Sequence, residues 1–89
     1  MARMTRLTSI AFNTPEWGDN FRERTLDSLA ESLEFAAKGN PDLVVLPEHC
    51  TTTGVPWAEV EFADWCEPIP GPTTERVSEL ADKYDMYVC

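Results

Sequence analysis

The 89 residues read as an α/β domain with the element order β-α-β, a long loop, then α-β. Three observations carry that reading. Two short apolar runs, LTSIAF and LVVL, flank one stretch of clear helical periodicity. Each run is bounded by turn residues and is too short for a helix. A second helical stripe then follows the turn sequence PIPGP and leads into MYVC, the opening of a third strand.

The first strand is expected over Leu7 to Phe12, with Leu7, Ile10 and Phe12 as its apolar members. Its imperfect alternation suits a strand covered on both faces. NTPEWGDN follows, dense in turn residues. Asn20 stands three residues before Glu23, the spacing of a capping box, in which the Asn side chain caps backbone N–H groups and the Glu reaches back. Beyond it Leu26, Leu29, Ala30, Leu33, Ala36 and Ala37 form one apolar stripe at helical spacing. Lys38 suits the negative end of that helix, and Gly39 is expected to supply the left-handed residue that closes it. Asn40-Pro41 prevents continuation.

Asp42 to Leu46 is the second strand, ended by Pro47, which has no N–H to donate to a ladder. Strand, helix, strand in about 40 residues is a βαβ unit, so the two strands should be parallel with a right-handed crossover. Cys50 to Gly71 shows no usable periodicity, yet it holds Trp57, Phe62 and Trp65. Connections this long are usually functional or packed on something else. Pro72 fits the first turn of a second helix with the stripe Val77, Leu80, Ala81 and Tyr84. Asp85 ends it.

Composition narrows the function. Sixteen acids stand against seven bases, a formal charge of −9. That balance opposes binding to nucleic acid or to an anionic membrane, both of which need clustered Lys and Arg. The opening MARMTRLTSIAF superficially resembles a signal peptide, but Asn13, Pro15 and Glu16 break its short apolar stretch. No run approaches the roughly 20 apolar residues of a membrane helix. Cys50, Cys66 and Cys89 are odd in number and lack CxxC spacing, so neither a disulfide framework nor a zinc site is expected. A reduced, cytoplasmic protein without a cofactor is the expectation.

Glu48 is the candidate for chemistry. It follows a buried-looking strand at its carboxyl end, where ligands gather in open α/β sheets. Pro47 fixes the backbone beside it, and desolvation there would raise the pKa of a carboxylate towards that of a working general base. The plainer alternative is a solvated acid at the start of a loop. His49 invites a dyad or metal reading. Neighbours on an extended chain point to opposite faces, so His49 is taken as a surface or supporting residue. Trp57, Phe62 and Trp65 could line a pocket, or pack in a core or a subunit interface. No GxGxxG or P-loop pattern follows the first strand, which disfavours a nucleotide-binding βαβ.

The ordered set LTSIAF, DN at the helix start, AAKGNPDLVVLPEH, Gly54 after TTT, EPIPGPTTERVSELADKY and MYV resembles the N-terminal part of the nitrilase (carbon–nitrogen hydrolase) superfamily. The resemblance runs from about Thr8 to Cys89 and covers about the first third of a family catalytic domain. It implies that residues 1–89 are an N-terminal fragment of such a domain, whose whole fold is a four-layer α-β-β-α sandwich. It implies hydrolysis of a small-molecule amide or nitrile by a Glu, a Lys and a Cys. The thiol needs a base near pH 7, and the tetrahedral oxyanion needs a positive partner. By resemblance Glu48 is the general base. The family's Lys and Cys have no counterpart here: Lys83, Cys50 and Cys89 do not match their places. Asp85 stands where the family often has glycine, and Asp tolerates a left-handed turn at some cost.

Two functions follow. In the first, the chain is part of a carbon–nitrogen hydrolase and is inactive without the Lys and Cys. In the second, it is a non-catalytic α/β fragment that serves only in packing or interaction. Half a sandwich leaves one sheet face bare, so a homo-oligomer or a missing C-terminal portion is expected to cover LTSIAF and LVVL.

Overall fold

A computed structural model describes residues 4–89; residues 1–3, which open the N-terminal segment weighed above as a leader, lie outside the described residues. The elements are β1 (Leu7–Ser9), α1 (Phe21–Ala37), β2 (Leu43–Val45), a 3₁₀ turn (Phe62–Trp65), α2 (Pro72–Lys83) and β3 (Tyr87–Val88). The strands form one parallel sheet in the order β1-β2-β3, which makes β2 central. The α/β class and the βαβ unit are therefore as expected. The strands are shorter than the apolar runs. Ile10 and Leu46 still join the ladder through Ile10 N–H to the Val45 carbonyl (2.9 Å) and Leu46 N–H to the Cys89 carbonyl (2.7 Å).

Both helices lie on one face of the sheet. Leu26, Leu29, Ala30, Leu33 and Ala36 of α1 share a buried core with Leu80 of α2, Val44 of β2 and Met86. Ile10, Phe12, Leu46, Val77, Tyr84 and Val88 pack against it. The expected stripe of α1 is thus its buried face, extended by Phe21 and Thr25. The Thr25 hydroxyl is fully buried and has no hydrogen-bond partner among the described residues. Arg76 of α2 reaches Asp27 of α1 at 3.1 Å across the outer side of the helix pair.

Among the described residues nothing covers the opposite sheet face. Side chains alternate along a strand, so the register Leu7–Leu43–Tyr87 sets one row across that face. Leu7 is 65% and Tyr87 80% exposed. The imperfect alternation of the first strand thus marks two apolar faces, of which the described residues cover one.

Two helix-end expectations change. Asn20 precedes α1, but its backbone is left-handed (φ 58°) and its side chain makes no capping bond. A capping side chain reaches the first-turn amides from an extended backbone. Here the Asn20 carbonyl instead receives the Arg24 N–H at 2.9 Å. At the other end the left-handed residue is Asn40 (φ 50°), one place after Gly39. Lys38 is the C-cap, with its ammonium 5.3 Å from the Phe35 ring centre. Asp85 is left-handed (φ 50°), so α2 closes as expected.

The start of α2 is held by a residue that pattern reading passed over. Glu67 accepts the Thr73 N–H at 2.8 Å and the Thr73 hydroxyl at 2.7 Å. A carboxylate there also meets the positive end of the helix dipole.

Candidate active site

Glu48 lies just past the carboxyl end of the central strand, with Pro47 between it and Leu46. Its surroundings differ from those expected of a desolvated base. The side chain is 89% exposed, so within the described residues nothing dries the carboxylate. A groove of about 1110 Å³ runs along β1 and α1 past Ile10, Phe12, Phe35 and Lys38, and Glu48 does not line it.

Residues 48–54 form a continuous turn. His49 is left-handed (φ 55°), not extended, and the opposite-faces argument therefore fails at this position. Its Nε2 lies 3.4 Å from Glu48 Oε1, with the His49 side chain 74% exposed. The His49 carbonyl accepts the N–H groups of Thr52 (3.0 Å) and Thr53 (2.9 Å) and the Thr53 hydroxyl (2.7 Å).

The turn is anchored downstream. Val55 is buried, and Gly54 lies so close to Phe21 and Thr14 that a Cβ there would sit 2.9 and 2.8 Å from their side-chain carbons. The glycine is required by close approach. Phe21 belongs to an aromatic cluster with Trp17 (5.0 Å between ring centres) and Trp65 (5.8 Å), and Trp17 and Trp65 are 5.2 Å apart. The Arg22 guanidinium stands 4.9 Å from the Trp65 ring centre and donates to the Asp64 carbonyl at 3.2 Å. Trp65 thus packs, fastening the long loop to the start of α1. Trp57 and Phe62 pair at 5.4 Å and remain exposed.

The other candidate groups stay apart. Helices in βαβ units run antiparallel to the strands, so Lys83, at the carboxyl end of α2, is at the opposite end of the sheet from Glu48. Its ammonium stands 5.1 Å from the Tyr84 ring centre. Cys50 is half-buried, and burial pushes its thiol above the ordinary value against the opposing N–H groups of Cys50 and Thr51. A thiol kept protonated is a poor nucleophile. Cys89 is exposed at the end of β3, hydrogen-bonded through its backbone to Val44 and Leu46.

The family model for carbon–nitrogen hydrolase matches residues 10–89. Neither the curated proteins nor the solved structures give a match.

Proposed function

This chain belongs to the carbon–nitrogen hydrolase family, and on that premise we propose that Glu48 is the general base in the hydrolysis of a small-molecule amide or nitrile. The observation that carries the reading is its place: the acid that follows the central strand of a parallel sheet, at the end where α/β sheets bind ligands. In the reaction the Glu48 carboxylate takes the proton of a cysteine thiol. The thiolate attacks the substrate carbon, and a lysine ammonium stabilises the charge that develops. The proton held by Glu48 passes to the leaving nitrogen, so an amide expels ammonia directly and a nitrile does so after one water adds to its thioimidate. A further water, deprotonated by Glu48, then cleaves the thioester to the acid and the free thiol.

The lysine and cysteine of that scheme have no counterpart in residues 1–89. The exposure of Glu48 and the bare sheet face both support a site completed by further polypeptide. We read the three-stranded sheet with its two helices as one α-β half of an α-β-β-α sandwich. Its open face is covered by the rest of such a domain or by a second copy. The same bare face suits a purely packing module, but the family match favours the hydrolase. Among the described residues no helix is long and apolar enough to cross a membrane, and the three cysteines are unpaired.

Ammonia release from simple amides and nitriles tests the reading. The 89-residue chain alone should give none, and the chain joined to a segment supplying the family's Lys and Cys should turn over. Turnover by the 89 residues alone would contradict it.

A further inference from the structure

The geometry points to His49 as a positioning residue for Glu48, an inference that rests on the reading of Glu48 as the base. Adjacent side chains of an extended chain diverge. Here the left-handed backbone of His49 reverses the chain directly after Glu48 and brings the imidazole back beside its carboxylate, 3.4 Å from Oε1.

That backbone conformation is held from within the turn. Three donors, the N–H groups of Thr52 and Thr53 and the Thr53 hydroxyl, converge on the His49 carbonyl. Histidine is among the non-glycine residues that adopt this conformation more readily. On the other side of Glu48, the ring of Pro47 fixes its own φ. Glu48 therefore projects from a short backbone segment restrained on both sides. An exposed glutamate otherwise samples several rotamers. The imidazole against Oε1 favours one of them and leaves Oε2 free to accept the proton of the incoming thiol. His49 acts on the direction of the base and does not itself touch the reacting atoms.

The test is NMR on the intact 89-residue chain. The two Hα–Hβ couplings of Glu48 should depart from the rotamer-averaged value in the wild type, reporting one dominant rotamer. His49→Gly keeps the left-handed backbone accessible and removes the ring, so both couplings should move to the averaged value while the Thr52 and Thr53 amides keep their exchange protection. His49→Val resists that backbone, and those amides should exchange roughly tenfold faster. Rotamer-averaged couplings in the wild type, or single-rotamer couplings that survive His49→Gly, would overturn the positioning role. Equal amide exchange in the Gly and Val variants would overturn the backbone part. The general-base role is read separately, from ammonia release by Glu48→Gln in the completed enzyme. Lost couplings with an active Glu48→Gln enzyme sink the base and spare the positioning; preserved couplings with an inactive one do the reverse.

Discussion

Glu48 is a solvent-exposed acid set between a proline and a left-handed histidine, just past the central strand of the sheet. The acid was legible because an apolar run, a proline and a carboxylate stand in order. Its exposure was not legible, because solvent access depends on chain that is distant in sequence. His49 shows the complementary failure: an extended backbone predicts opposite faces for neighbours, and one left-handed residue brings the two side chains together while His49 stays the exposed supporting residue expected. Cys50 lies outside the family's nucleophile position, and its half-burial is a physical reason against that role as well. Since burial favours its thiol form, Cys50 should react with iodoacetamide after the exposed Cys66 and Cys89 at mildly alkaline pH. Peptide mapping over a time course checks the order; Cys50 modified first would refute it. Gly54 is a second residue whose role needed coordinates. Gly54→Ala forces a methyl against Phe21 and Thr14 and should destabilise by about 1–3 kcal/mol in urea unfolding, in line with other overpacked sites.

Among the elements, the amphipathic helices were the most legible. A stripe repeated over four turns of α1 leaves one face to bury, and that face is the core. Their ends were less so. A cap depends on one backbone dihedral, and Asn20 spends its conformation on a left-handed turn that takes the side chain out of reach of the first-turn amides. Glu67 caps α2 from five residues before its start, outside the window in which capping patterns are read. The cluster of Trp17, Phe21 and Trp65 was illegible for a different reason. Its members are up to 48 residues apart, and aromatic contacts between loops leave no periodic trace. What the sequence did show was an excess of large apolar groups for a solvated loop, and Trp65 accounts for part of it.

For the whole molecule, the decisive feature is asymmetry: helices on one sheet face and none of the described chain on the other. Exposed apolar rows of this kind mark contact surfaces. The isolated chain should self-associate in sedimentation velocity, and Leu7→Lys with Tyr87→Lys should shift it towards monomer. A wild-type chain that sediments only as monomer would contradict the exposed-face account. The central claim, however, is that Glu48 is the base of a carbon–nitrogen hydrolase, and its most direct test is ammonia release by the completed enzyme with and without Glu48→Gln. Glutamine keeps the shape and cannot take the thiol proton. The account predicts a loss of roughly 10²–10⁴-fold in turnover, the range for removing a general base, with the fold unchanged by circular dichroism. A Glu48→Gln enzyme as active as the wild type would contradict it.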